Sequence, residues 1–352
     1  MSNNAVLKKV ANFEIIKEIG CGGMGMVYLA KQMPIGREVA LKVLPAKNDG
    51  NSEEYREAIQ RFESEANAVS RLEHDNIVTL YDYGFSNGMH FLAMQYIDGC
   101  SLYDIIQKRR PLPIETIIEY AKQICRGLSY ANQKGVIHRD IKPQNILVSK
   151  ENGKCHIADF GIAKLKKDER KTMVGMAIGT PEYMSPEQAE GKNLDHQTDI
   201  YSLGILIYEM CTGNPPFYGG DPISIAYRQV NEYPKNPSRL RHDIPVRLEL
   251  IILKTLKKSK NERYKTAEEV LRDLDAVVSE GKDSFFDDSE LKAFTGNSPL
   301  ERDNLNNNDL TMRKISSEPV SKSQMTVLIW MMSLMSALFL AIIVLLSILL
   351  MK

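Results

Sequence analysis

The stretch HRDIKPQN, residues 138–145, decides how the rest of this sequence is interpreted. It brings a carboxylate, an amine and an amide together: Asp140 can accept a proton, Lys142 can neutralise negative charge, and Asn145 can bind a hard cation. A second carboxylate follows in Asp159-Phe160-Gly161. Transfer of a phosphoryl group needs this set, because it requires a proton acceptor, a cation near the migrating group and oxygen ligands for Mg²⁺.

A glycine-rich segment precedes this stretch. Residues 19–28 read IGCGGMGMVY, in which Gly20, Gly22 and Gly25 form the spacing G-x-G-x-x-G. Glycines allow a tight turn to bring backbone N–H groups close to phosphates. Dinucleotide-binding folds use the same spacing to begin a helix. Here the following residues, 27–30, have the character of a strand, which favours a phosphate loop between two strands.

Further motifs occur in a fixed order along the chain. Residues 39–42 read VALK, and residues 179–187 read GTPEYMSPE. Together with HRDIKPQN and DFG they match the signature set of protein kinases. The chain resembles the serine/threonine protein kinases over about three quarters of its length, and its phrases GGMGMVYLAK and GTPEYMSPEQAEG are most similar to the eukaryotic-like kinases of bacteria.

The resemblance implies an α+β fold with two lobes. We expect a kinase domain at 12–280, with a small β-rich N-lobe at 12–94, a hinge at 95–98 and a larger helical C-lobe at 99–280, after an N-terminal segment at 1–11. The resemblance also implies ATP as the phosphoryl donor, Mg²⁺ or Mn²⁺ as the metal, and proteins with Ser or Thr hydroxyls as substrates.

The resemblance assigns the catalytic roles residue by residue. Asp140 would accept the substrate proton, Lys142 would stabilise charge on the phosphate, and Lys42 would contact the nucleotide phosphates. Glu65 would pair with Lys42 from the next helix, with Glu63 as the rival. Nucleotide binding falls to Ile19, Gly20, Cys21, Gly22, Gly23, Gly25, Val27, Ala40, Lys42, Gln95, Ile97 and Leu147, and metal binding to Asn145 and Asp159.

Other matched positions are regulatory or structural. Thr172 is the only hydroxyl residue between Gly161 and Thr180, and we expect its autophosphorylation and its pairing with Arg139. Thr180 matches the threonine that bridges Asp140 and Lys142. Two structural assignments follow as well, an ion pair between Glu187 and Arg263, and a helix aspartate, Asp199, that braces the catalytic loop.

The composition of the chain bears on two questions, whether it binds nucleic acid and whether its cysteines are oxidised. The 352 residues carry 45 basic and 45 acidic side chains, so net charge gives no case for nucleic-acid binding. The five cysteines are scattered and odd in number, which predicts reduced thiols rather than a disulfide framework.

A charge-free stretch lies near the end of the chain. Met325–Met351 spans 27 residues, about 40 Å of helix against roughly 30 Å of hydrocarbon. It predicts a single membrane-spanning helix that anchors the chain by its C-terminus. Arg313, Lys314 and Lys322 precede it and place the kinase domain on the cytoplasmic side, at a bacterial inner membrane. The polar segment 281–324 predicts a flexible linker.

The predicted span also suggests self-association. Ser333, Ala337 and Ala341 recur every four residues, a small-xxx-small pattern that lets two helices approach closely. A homodimer is therefore expected as a partner state. Two other functions stay open beside the protein kinase: a phosphotransferase for small molecules, which usually lacks the GTPEYMSPE segment, and a catalytically inactive membrane scaffold, which would lack Lys42, Asp140 or Asp159.

Overall fold

The computed structural model describes residues 8–22, 25–44, 69–160 and 180–279, together with positions 56, 59, 60, 62, 63, 66 and 67. Gly23, Glu65, Thr172, the linker 281–324 and the membrane span 325–351 lie outside the described residues, so the predictions made for them stay predictions. Among the helices within the described ranges, none combines the length and the apolar character that crossing a bilayer requires.

The N-lobe is built on an antiparallel sheet. Its strands are β1 (Lys9–Val10), β2 (Phe13–Gly22), β3 (Gly25–Gln32), β4 (Arg37–Leu44), β5 (Leu80–Ser86) and β6 (Met89–Gln95), in the order β1-β2-β3-β4-β6-β5. Alternation along β4 explains its two faces. Val39, Leu41 and Val43 are buried in one cluster with Phe13 and Phe91, whereas Ala40 and Lys42 point to the other side of the sheet.

The β5–β6 hairpin closes at Asn87 and Gly88, which both have positive φ angles, of 52° and 76°. Asn-Gly favours this geometry, since it matches the twist of the flanking strands. Strand β5 begins only at Leu80, although the apolar residues Ile77 and Val78 precede it. The reason is that the backbone of 76–78 bonds to β9 (Cys155–Ile157) instead: Val78 N donates to Ile157 O and Ile157 N to Asn76 O, each at 2.9 Å.

A helix covers one side of the N-lobe sheet. The described positions between 56 and 69 are helical, as their apolar spacing predicts. Phe62, Ala66 and Val69 are buried, and Phe62 and Ala66 pack with Leu44 and Leu92 of the sheet.

The C-lobe is mainly helical. Its strands β7 (Gly99–Ser101), β8 (Ile146–Ser149) and β9 form a small sheet in that order. Its helices are α1 (Leu102–Lys108), α2 (Ile114–Gln133), α3 (Pro186–Ala189), α4 (Gln197–Thr212), α5 (Pro222–Asn231), α6 (Val246–Thr255) and α7 (Ala267–Ser279).

The centre of the C-lobe is helix α4, which is buried from Thr198 through Cys211. A helix buried on all sides is a core element, and α2, α6 and α7 contribute to the same apolar core. The catalytic stretch 138–145 lies between α2 and β8, so it rests on this rigid core. The two-lobed α+β fold expected from the resemblance is confirmed.

Candidate active site

An ion pair joins the two lobes at the cleft. Lys42 Nζ, on β4, lies 3.0 Å from Asp159 Oδ1, just after β9. The Lys42 side chain is 10% exposed and that of Asp159 is 53% exposed. A buried ammonium needs a partner, and the carboxylate that supplies one remains open to the cleft. The structure therefore brings together two residues that the sequence assigned to phosphate and metal binding.

The catalytic stretch folds back on itself around Asp140. Lys142 Nζ lies 2.8 Å from Asp140 Oδ2. Asn145 Nδ2 donates to the backbone oxygen of Asp140 at 2.8 Å and to its Oδ2 at 3.1 Å. The turn Pro143–Asn145 is a short 3₁₀ helix that places Asn145 beneath Asp140. The amine of Lys142 and the amide of Asn145 thus converge on the carboxylate of Asp140, the predicted proton acceptor.

His138 is a positioning residue to which the sequence assigned no role. It is fully buried, and burial lowers the pKa of its imidazole. Its Nδ1 accepts a hydrogen bond from Asp140 N at 3.2 Å, so the proton sits on Nε2, which donates to Ala158 O at 3.0 Å. A neutral imidazole therefore ties the backbone of Asp140 to the residue before Asp159.

Asp199 braces the same stretch from the start of α4. Its Oδ2 accepts from His138 N at 2.8 Å and its Oδ1 from Arg139 N at 2.7 Å. Burial raises the pKa of Asp199, while the hydrogen bonds from the amides of His138 and Arg139 act against that rise. The geometry matches the bracing role predicted for this aspartate.

The backbone is strained at two positions of the site. Arg139 has a φ angle of 66° and Asp159 one of 52°. Left-handed conformations are unfavourable for residues with a Cβ and persist where the surroundings over-determine them. For Arg139 the surroundings include the Asp199 bond to its amide and a 2.9 Å bond from Gln188 Nε2 to its carbonyl.

The nucleotide-binding residues predicted on the N-lobe sheet share one face. Val27 pairs with Lys42 in the β3–β4 register, and Ala40 is two residues before Lys42, so the three side chains lie on the same side. Gly25 has a φ angle of 145°, and a Cβ there would overlap the carbonyl oxygen of Val43. Strand β2 ends at Gly22 and strand β3 begins at Gly25, so the glycine motif is followed by a strand, as predicted, and not by a helix. Its contact with phosphates stays a prediction.

The remaining predicted contacts lie at the edges of the cleft. Gln95 and Ile97 belong to the hinge, where β6 ends. Leu147 is the half-buried member of β8 between buried Ile146 and Val148. Ile19 is 40% exposed on β2. The contacts of these residues with a purine stay predictions.

The donor set of Asn145 and Asp159 fits Mg²⁺. Both side chains offer oxygen atoms, and Mg²⁺ is usually held by one or two carboxylates together with water and substrate phosphates. Asn145 uses its Nδ2 to bond Asp140, and in the described part of the chain its amide oxygen accepts no hydrogen bond. Asp159 keeps an exposed carboxylate. These two residues would hold the ion.

The GTPEYMSPE stretch ends at Glu187, which is fixed to the core by a buried ion pair. Arg263 Nη1 and Nη2 donate to Glu187 Oε1 and Oε2 at 2.7 and 2.8 Å, as the sequence predicted. Burial acts to raise the pKa of Glu187, but the hydrogen bonds and charge of Arg263 outweigh it, so the pKa lies below its ordinary value. Thr198 Oγ1 adds a bond to Glu187 Oε1 at 2.9 Å.

Several functional positions near this segment were not predicted. Ser185 and Gln188 form a capping box at α3, and the same Gln188 holds Arg139. The spacing Ser-x-x-Gln is a recognisable signal for this cap. Tyr183 donates to Glu209 on α4, a contact that sequence spacing does not reveal. Thr180 precedes the 3₁₀ turn Pro181–Tyr183, and its bridging role stays a prediction.

Comparisons with known proteins agree with this geometry. A family model described as the protein kinase domain matches residues 13–274. Serine/threonine-protein kinase PknB of Mycobacterium leprae is 40% identical over 272 residues, which cover 76% of this chain and 43% of that protein. A probable serine/threonine-protein kinase of Clostridium acetobutylicum is 36% identical over 315 residues, covering 89% of this chain and 47% of that protein.

Solved structures show the same architecture. The kinase domain of Mycobacterium tuberculosis PknI is similar with a TM-score of 0.61 at 26% identity, over 77% of this chain and 99% of that domain. The chain spans less than half the length of the curated relatives described above. Since the family model covers most of the sequence and the cleft carries its motifs in place, this chain belongs to the protein kinase family.

Proposed function

We propose that this chain is an ATP-dependent serine/threonine protein kinase. The observation that carries the proposal is the convergence of Lys142 and Asn145 on the Asp140 carboxylate, beside the Lys42–Asp159 pair. Its bacterial relatives are named serine/threonine-protein kinases, and Lys142 two positions after Asp140 is the serine/threonine form of the motif.

Each residue of the cleft has its own role in the proposed reaction. A substrate hydroxyl gives its proton to Asp140 as its oxygen bonds to the γ-phosphorus, and the bond from that phosphorus to the β-phosphate oxygen breaks. Lys142 stabilises charge on the transferred group, and Lys42 orients the nucleotide phosphates. Asn145 and Asp159 would hold a metal ion, which would neutralise phosphate charge. Positioning and electrostatics provide most of the rate in such reactions.

A direct assay tests this proposal. Purified chain is incubated with labelled ATP, Mg²⁺ and a basic protein substrate, and phosphoserine and phosphothreonine are separated after hydrolysis. We expect label on both residues for the wild type and none for Asp140→Asn. If the wild type binds ATP without transferring label to protein, the inactive scaffold becomes the better account. Transfer to a small-molecule acceptor alone would support the remaining alternative.

We further propose autophosphorylation at Thr172. The segment around it carries Lys166, Lys167, Arg170 and Lys171, which should repel Arg139 until a phosphate of about −1.5 to −2 charge is added to Thr172. Mass spectrometry of the active enzyme should find phosphate on Thr172, and Thr172→Ala should lower activity. An active enzyme that is unmodified at this position would contradict the proposal.

Membrane anchoring through residues 325–351 is a separate proposal, supported by the charge-free composition of that segment. Self-association through the face of Ser333, Ala337 and Ala341 would raise the effective concentration of one kinase domain near its neighbour. Fractionation of cells that express the chain tests the anchor. Ser333→Ile with Ala337→Ile tests the face, because cross-linking in membranes should then fall, and unchanged cross-linking would leave the segment as an anchor only.

A further inference from the structure

A cavity of about 730 Å³ lies beside the hinge, and none of the catalytic residues lines it. Its walls come from the start of β4, the segment that precedes β5, the hinge and the β8–β9 turn. We call this cavity the hinge groove. Neither Lys42, Asp140 nor Asp159 lines it. Its volume falls within the range of about 300–1,000 Å³ that is typical of ligand sites.

The walls of the hinge groove are strongly acidic. Five carboxylates and one amine line it, namely Glu38, Glu73, Asp75, Asp98, Glu151 and Lys154. Two of the carboxylates already have cations. Lys154 Nζ lies 3.0 Å from Asp75 Oδ2, and Lys150 Nζ lies 2.9 Å from Asp98 Oδ1. The hydrogen bond from Lys154 lowers the pKa of Asp75, so that carboxylate is ionised at neutral pH.

The other three carboxylates of the groove differ from Asp75 and Asp98 in their charge partners. Within the part of the chain that the structure describes, no cation pairs with Glu38, Glu73 or Glu151, and all three side chains are exposed. Negative charges that line a concave surface focus the electrostatic potential and attract cations. The same potential repels the phosphates of nucleic acids. Charge therefore selects a cationic ligand.

A buried histidine gives an independent sign of a ligand. His156, on β9, lines the groove and is only 8% exposed. Its Nδ1 has no hydrogen-bond partner among the described residues. Buried polar atoms in folded proteins nearly always have a partner, and burial lowers the pKa of His156, so its imidazole is neutral. A ligand that satisfies the Nδ1 atom of His156 must therefore carry neutral hydrogen-bond donors or acceptors as well as positive charge.

The chemistry of the groove separates the candidate ligands. Across the described residues, no cluster of three or more His, Cys, Asp or Glu side chains is placed to hold a metal ion. A simple amine would meet the carboxylates but would offer nothing to the histidine. A peptide with Lys or Arg side chains meets both needs, because its side chains pair with Glu38, Glu73 and Glu151 while its backbone N–H and C=O groups reach His156.

We propose that the hinge groove binds a lysine- or arginine-rich peptide segment of a partner protein. This site goes beyond the proposed phosphoryl transfer, since its walls contain none of the catalytic residues. Two hinge residues predicted to bind the nucleotide, Gln95 and Ile97, also line the groove. Binding should be weak and strongly dependent on salt, because exposed ion pairs contribute little individually and are screened within about 10 Å at 0.1 M ionic strength.

Fluorescence anisotropy on the full chain tests the proposal. The probe is a fluorescein-labelled peptide of alternating lysine and arginine without hydroxyl residues, compared with a glutamine peptide of equal length. The groove variant is Glu73→Lys with Glu151→Lys, one change before β5 and one in the β8–β9 turn. The control variant is Glu14→Lys with Glu268→Lys, which makes the same change of charge at exposed positions elsewhere in each lobe.

We expect the basic peptide to bind the wild type and the control variant alike, and the groove variant at least tenfold more weakly. The glutamine peptide should bind none of them. The ¹⁵N resonances of the His156 ring should shift when the basic peptide is added to the wild type and stay unchanged in the groove variant. Equal affinity for wild type and groove variant, or equal weakening in both variants, would overturn the proposal, because binding would then be elsewhere or unspecific.

Discussion

The Nζ atom of Lys142 lies 2.8 Å from the Oδ2 atom of Asp140. Each of these side chains is less than a fifth exposed, so the pair is largely shielded from solvent before any substrate arrives. Asn145 donates to the same carboxylate oxygen at 3.1 Å. The carboxylate is therefore oriented by two donors from its own loop.

Replacing Asp140 with Asn should remove the proton acceptor and keep the shape of the site. General-base catalysis typically contributes about 10²–10⁴-fold to a rate, so we expect kcat to fall by at least that much while ATP affinity is retained. Asp159→Asn should weaken binding of Mg-ATP as well, because that residue is a proposed metal ligand. Kinase assays and nucleotide titrations on both variants separate the two effects. Retained turnover in Asp140→Asn would contradict the assignment.

The bracing of the catalytic loop by Asp199 gives a second prediction. In Asp199→Asn one of the two acceptor oxygens becomes an NH₂ group that faces the amide of His138 or Arg139. Hydrogen bonds to charged groups are worth about 1.5–3 kcal/mol, and Arg139 depends on this support for its left-handed backbone. We expect kcat to fall at least tenfold with little change in the KM for ATP.

The split between kcat and KM is the informative measurement for Asp199. A residue that only stabilises the C-lobe would lower the melting temperature and leave the kcat of the folded fraction unchanged. If Asn at this position destabilises the protein but each folded molecule turns over normally, the bracing role is wrong. Ser202→Ala, on the same helix and equally buried, serves as the control for a change in the core.

The catalytic loop was predictable from sequence because its chemistry is local. Asp140, Lys142 and Asn145 lie within one turn, so spacing alone places them together, and the burial of Phe62, Ala66 and Val69 follows from helical periodicity. The alternation along β3 and β4 likewise predicts that Val27 and Lys42 share a face. In these cases the local periodicity of the backbone determines the neighbours.

Other parts of the site depend on packing between distant segments. The neutral state of His138 follows from its burial, and its Nε2 bonds to the backbone of Ala158, 20 residues away. The hinge groove gathers residues from Glu38 to His156, which no sequence window contains. The contact of Tyr183 with Glu209 crosses 26 positions. Such contacts come from the tertiary fold, and their charges have no periodic signature in the sequence.

The Glu187–Arg263 pair gives a third prediction, about stability. The Arg263 side chain is fully buried and that of Glu187 is 5% exposed. Removing one partner leaves an uncompensated buried charge, which costs about 3–5 kcal/mol. Arg263→Met should therefore lower the free energy of unfolding by that amount. The double variant Glu187→Gln with Arg263→Met should recover part of the loss, because no buried charge remains.

Urea denaturation of the wild type, both single variants and the double variant measures this coupling. Additive losses in the double variant would mean that the two residues act independently. The pKa of Glu187 lies below its ordinary value, so its contribution is present at neutral pH and is lost as pH falls below about 4.3, the usual pKa of Glu.

A buried carboxyl group without a full counter-charge provides the last prediction. Burial raises the pKa of Glu209 from 4.5 to about 7, against the opposing effects of the Tyr183 hydrogen bond and the Arg110 charge. Between those two pH values the folded protein holds a proton that the unfolded chain releases. Stability from this group is therefore fully present below about pH 4.5 and is lost as pH rises towards 7, by about 1.4 kcal/mol per pH unit.

The Glu209→Gln variant tests this prediction. Its side chain stays neutral and can still accept a hydrogen bond from Tyr183, so the stability of the variant should not decline over that range. Urea denaturation across the range, with exposed Glu268→Gln as the control for lost charge, should show the gap between Glu209→Gln and wild type widening as pH rises. Parallel profiles would mean that Glu209 is ionised throughout the range.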